Sequence, residues 1–78
     1  MVVSAYVLIQ TEVGKAASVT EAVAGIEGVR TAETVVGPYD AIVRVEGASM
    51  DEVAKTVVSR VQMVDGITRT LTCEIVHI

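Results

Sequence analysis

The chain states one pattern twice, and that repetition limits its folds more than any other feature. Ala5-Tyr6-Val7-Leu8-Ile9-Gln10 is matched by Ala41-Ile42-Val43-Arg44-Val45-Glu46, and Gly28-Val29 by Gly66-Ile67. Each half reads strand, helix, Gly, β-branched residue, strand. Between the halves, Gly37-Pro38-Tyr39-Asp40 holds the chain's one Pro and its tightest turn signal. Two β-α-β units joined by such a hairpin predict an α+β, ferredoxin-like domain: βαββαβ order, a four-stranded antiparallel sheet, and two helices on one face. Right-handed crossovers place the first and third strands in the centre and the other two at the edges. No linker or low-complexity stretch interrupts the pattern, so residues 1–78 are expected to form one domain.

Residues 3–11 are rich in β-branched side chains and predict the first strand. Val3, Ala5, Val7 and Ile9 point one way, and Ser4, Tyr6, Leu8 and Gln10 the other. Because the second side carries Tyr6 and Leu8, both faces are expected to be covered, one by helices and the other by a second subunit. Residues 15–26 predict a helix with a stripe of Ala16, Val19, Ala22, Val23 and Ile26, and Gly25 and Gly28 mark its exit. Residues 29–36 are a more polar edge strand, and residues 41–46 the third strand. Ser49-Met50-Asp51-Glu52 has the form of a capping box. It opens a helix running to about residue 64, with Met50, Val53, Ala54, Val57, Val61 and Val64 facing inward. Residues 67–76 complete the sheet.

Composition narrows the function. The 78 residues are 51% hydrophobic, with mean hydropathy +0.56. With no Phe or Trp, the core must come from Val, Ile, Leu, Ala and Met. So small a domain cannot bury that much apolar surface alone, and oligomerisation is expected. The net charge of −4, without a basic cluster, argues against nucleic-acid binding. No apolar run is long enough to span a membrane, and residues 2–9 lack the features of a signal peptide. A single Cys73 makes no internal disulfide, as fits a reducing cytoplasm. Alternating with Leu71 and Ile75, it is expected to be buried. His77 stands one residue from the end without a catalytic partner. No Cys/His pair has metal-ligand spacing, and no Gly-rich phosphate loop follows a strand. Neither a cofactor, a metal nor an enzymatic activity is expected.

Two segments carry ligand-like chemistry. In the turn at residues 37–40, Asp40 can accept hydrogen bonds from backbone amides or from a ligand ammonium, and Tyr39 brings a ring with a polar tip. The simpler reading is a hairpin whose Asp caps its own turn. Thr68, Thr70 and Thr72 alternate along the last strand with Glu74 beyond them. They form either a row of donors for a polar ligand or a partly solvated sheet face, and their spacing leaves both open.

The series Gly28-Val29, Gly37-Pro38-Tyr39-Asp40-Ala41 and Gly66-Ile67, with Thr72 in the last strand, resembles the effector-binding domain of Lrp/AsnC transcriptional regulators. This is the RAM domain, and the resemblance covers essentially the whole chain. It implies dimers formed through the sheets, dimers assembled into rings, and small effectors, typically amino acids, held at the junctions between dimers. It places Gly37, Tyr39 and Asp40 on the ligand-proximal loop and Thr70 and Thr72 on the strand sharing that cleft. Tyr6 and Leu8 are expected in the dimer interface. Regulators of this family carry an N-terminal helix-turn-helix domain, whereas here the first strand follows Met1 directly. The expectation is a stand-alone RAM protein that contacts no DNA and acts on transcription regulators, such as full-length relatives, by protein association. Two competing functions are a structural assembly partner without a ligand and a dimeric α/β-barrel monooxygenase. The latter shares the topology but needs a large pocket lined by aromatics and a His, and the aromatics here are Tyr6 and Tyr39. The ACT-domain sensors also share the topology, but the Gly-x-Tyr-Asp register favours the RAM domain.

Overall fold

The computed structural model describes residues 2–77. Its elements follow the predicted order: β1 (Val3–Thr11), α1 (Ala16–Ala24), β2 (Val29–Thr34), β3 (Ala41–Gly47), α2 (Met50–Thr56) and β4 (Ile67–Glu74). The strands lie in the order β2-β3-β1-β4, and every neighbouring pair is antiparallel. The ferredoxin-like βαββαβ fold is thus present, with the two central strands where right-handed crossovers put them.

Strand alternation builds the core. Ala5, Val7 and Ile9 of β1 and Ala41, Val43 and Val45 of β3 are fully buried on the helix side of the sheet. Val19 and Val23 of α1 pack onto them, as do Val53, Val57 and Val61 from the second helical segment. Ile9 is the largest side chain wholly out of solvent. Ala22 and Ala54, expected in the helical stripes, are exposed. They sit at the margins of stripes whose centres the valines hold, and a methyl group there does not reach the sheet.

Ser49 caps α2: the Glu52 N–H donates to its Oγ at 3.2 Å, and Asp51 and Glu52 place negative charge at the positive end of the helix. The α conformation ends sooner than predicted. Over Val57–Val61 the backbone widens into a π-turn, in which Gln62 N–H donates to the Val57 carbonyl at 2.8 Å. Val57 and Val61 remain buried while Val58 stands exposed. A pattern of apolar spacings does not separate this turn from a regular one.

β2 and β4 also stop short of the predicted residues 36 and 76. At β2 the chain closes its hairpin early, with Val35 N–H donating to the Asp40 carbonyl at 3.0 Å.

The repeated Gly positions have a shared cause. Gly28 and Gly66 adopt φ of +96° and +100°, which L side chains rarely enter. A β-carbon at Gly66 would also stand 3.1 Å from Lys15 Cβ and from Val19 Cγ2. The chain can turn from helix to edge strand beneath α1 because that position carries no side chain.

Tyr6, Leu8, Ile42, Leu71 and Cys73 share the other face, which no helix covers. The register pairs Tyr6 with Cys73, and Leu8 with both Ile42 and Leu71. Cys73 is therefore exposed in the single chain, contrary to the expected burial. Its alternation with Leu71 correctly marks a common face, but that face is the open one.

Candidate functional site

One end of the sheet gathers the close of β1 and β2 and the start of β3 and β4. There the turn at residues 37–40 folds against the last residues of β1. Asp40 N–H donates to the Ile9 carbonyl at 2.8 Å. The Thr11 N–H and Thr11 hydroxyl both donate to Asp40 Oδ2, at 2.8 and 3.2 Å. Gln10 Nε2 donates to the Pro38 carbonyl at 3.0 Å. Asp40 therefore fastens its turn to the neighbouring strand, which departs from the simple expectation of an Asp capping its own turn. Tyr39 and Asp40 are half-buried, and Gly37 is exposed with no atom within 4 Å of where a β-carbon would stand.

Thr70 lies opposite Ile9 on the far side of β1. Asp40 and Thr70 thus flank the same residue from its two sides, two strand spacings or about 10 Å apart. Thr70 Oγ1 accepts a hydrogen bond from Gln62 Nε2 at 2.8 Å, which ties the π-turn to β4. Gln62, Ile67, Thr68, Arg69 and Thr70 line a cleft of about 290 Å³ along that outer strand. Thr72 pairs with Val7, further along the sheet, and is exposed. The register shift between Gln10 and Thr11 removes Thr68 from the regular ladder, so Thr70 and Thr72, but not Thr68, share a face by simple pairing. The turn and Thr70 come together around the end of β1, while Thr72 stands apart from them in the single chain. Gln10 and Thr11, which hold the turn, were not among the expected site residues. Their partners lie 28 and 29 residues away, beyond the reach of any local motif.

The open face is organised differently. Its centre is apolar, with Leu8, Ile42 and Leu71. Toward the far end Glu46 receives Arg30 and Arg44, each at 3.5 Å, and the Arg44 guanidinium stands 5.9 Å from the centre of the Tyr6 ring. An apolar centre bordered by charge is the anatomy of a protein interface.

Among the described residues, no group of three or more His, Cys, Asp or Glu side chains could hold a metal ion. No helix among them is long and apolar enough to cross a membrane.

The fold agrees with the comparisons to known proteins. No curated protein sequence matches the chain significantly. Among solved structures, TTHA0845 from Thermus thermophilus superposes with a TM-score of 0.90 at 26% identity, covering 97% of this chain and 95% of its own. The hypothetical protein PHS023 from Pyrococcus horikoshii gives 0.87 at 28% identity, covering 99% and 92%. A feast or famine regulatory protein from M. tuberculosis, complexed with L-methionine, shares the fold with a TM-score of 0.75 at 21% identity. It matches over 97% of this chain but 51% of its own length. The family model described as the Lrp/AsnC ligand binding domain matches residues 4–77. With nearly every residue inside that match, the chain belongs to the Lrp/AsnC ligand-binding domain family.

Proposed function

We propose that the protein is a non-enzymatic, oligomeric cytoplasmic module that binds a small amino-acid effector at the end of β1, where dimers meet. The observation that carries this reading is the state of Asp40. Its Oδ2 is held by two donors from Thr11, and no donor among the described residues engages Oδ1. No buried side-chain oxygen or nitrogen among the described residues lacks a partner, so Oδ1 reaches solvent. A fixed, accessible carboxylate oxygen is a ready acceptor for an ammonium group. Gly37 offers an unobstructed backbone for the ligand carboxylate, Tyr39 a wall, and Thr70 and Thr72 hydroxyl donors from β4. Supplied by neighbouring dimers, these two sets of groups would enclose a ligand that one chain leaves half solvated. The L-methionine complex of the M. tuberculosis neighbour supports an amino acid as the ligand class.

The dimer itself forms through the open faces of two sheets, burying Tyr6 and Leu8. Regulation then proceeds by association with full-length relatives that share these surfaces.

The test is a thermal-shift screen of the twenty standard L-amino acids, followed by calorimetry of the best binder with wild type and Asp40→Ala. The expected result is binding by the wild type and at least a tenfold loss in a still-oligomeric variant. Unchanged affinity in Asp40→Ala removes that residue from the site. Absence of binding by the wild type leaves the structural assembly partner as the function.

A further inference from the structure

We propose that Thr11 is a positioning residue that makes the site selective for ligands bearing a free ammonium group. The inference rests on the reading of Asp40 as the ammonium acceptor.

A carboxylate on a turn rotates about its terminal bond, and either oxygen can serve as acceptor. Here that freedom is removed by one residue. Thr11 sends both its backbone N–H and its hydroxyl to Oδ2, at 2.8 and 3.2 Å, and neither donor goes to Oδ1. Hydrogen bonds to an ionised acceptor are stronger than neutral ones, and two converging from one residue define the orientation of the carboxylate plane. The turn beneath it is held as well. Asp40 N–H is bonded to the Ile9 carbonyl at 2.8 Å, and the Pro38 carbonyl receives Gln10 Nε2 at 3.0 Å. Three successive residues of β1 thus fasten the loop at its backbone and its side chain. The remaining oxygen, Oδ1, faces solvent in one orientation before any ligand arrives.

That arrangement has a chemical consequence. An accessible carboxylate oxygen attracts a cationic donor and repels a second carboxylate. A ligand that keeps its carboxylate and side chain but lacks the ammonium cannot use Oδ1, so it gains nothing from the orientation Thr11 imposes. A hydroxyl at position 11 serves discrimination between ligands, and its loss is felt only by those that address Asp40. Were Thr11 merely closing the end of β1, its removal would change stability and affect all ligands alike.

The experiment uses the full chain. The best-binding standard L-amino acid and its des-amino carboxylic acid are titrated into wild type, Thr11→Val, Thr11→Ser and Asp40→Ala, the weaker acid by competition. Valine keeps the shape and the backbone N–H while deleting the hydroxyl. Thr11→Ala deletes it too and replaces the valine variant if that one fails to fold. In Thr11→Val the affinity for the amino acid is expected to fall about tenfold, the scale of one charge-assisted hydrogen bond, with the des-amino acid unaffected. Thr11→Ser restores the amino-acid affinity to near that of the wild type. Equal losses for both ligands, or no loss for the amino acid, overturn the positioning role. If Asp40→Ala weakens the amino acid while Thr11→Val does not, Thr11 alone is excluded and the site stands. If Asp40→Ala has no effect, the underlying site is wrong.

Discussion

Tyr6 on β1 lies directly opposite Cys73 on β4, and both side chains are exposed on the sheet face that carries no helix. Cys73 is consequently a reporter for whatever covers that face. With a second sheet packed over Tyr6 and Leu8, the thiol is shielded, and reaction with a maleimide should be slow in the native protein. Leu8→Glu places a charge in the apolar centre between Ile42 and Leu71. Burying an unpaired carboxylate there is prohibitive, so this variant should sediment as a monomer and expose Cys73 to rapid labelling. A wild-type protein that sediments as a monomer at micromolar concentration overturns the dimer.

Gly66→Ala should destabilise the fold by about 1–3 kcal/mol, read as a lower urea midpoint with unchanged slope. Its added methyl meets both a φ of +100° and contacts of 3.1 Å with Lys15 Cβ and Val19 Cγ2. Gly14→Ala, at a comparable φ of +81° but with open space around the added carbon, should cost less. Equal costs at the two positions would contradict the close-packing explanation.

These glycines also show what a reader of the sequence alone recovers. Gly28 and Gly66 are local signals, because a helix exit with positive φ needs no distant partner to be recognised. The strand order follows in the same way from the repeat and the handedness of its crossovers. The site is only half legible. Asp40 stands out by its turn, but its hold on Thr11 joins residues 29 apart and has no counterpart in any short pattern. Cys73 teaches a related lesson: alternation identifies a shared face, and only the position of both helices tells which face is open.

Val57→Ala should lower stability by about 2 kcal/mol while leaving amino-acid affinity intact. Val57 is buried in the valine-rich core under the sheet, whereas the proposed ligand groups lie on the turn and on β4. Chemical denaturation and calorimetry on the same variant separate the two effects. A loss of affinity larger than the loss of folded protein would link the core to the site.

The isolated protein should not bind duplex DNA near physiological ionic strength. Its charge of −4, with six Lys and Arg residues scattered singly along the sequence, gives it no basic cluster to displace counterions. Electrophoretic mobility shift is the check, and salt-sensitive retardation by the purified chain would overturn the expectation.

The π-turn over Val57–Val61 means that the second helical segment contains one residue more than a regular helix needs to cover the same span. Chain length there has slack. A single deletion at exposed Ser59 can be absorbed by converting the wide turn to an ordinary one, an option closed to β1, where losing one residue would send every side chain beyond it to the opposite face. This stretch of the domain can therefore take a change in length without resetting the sheet.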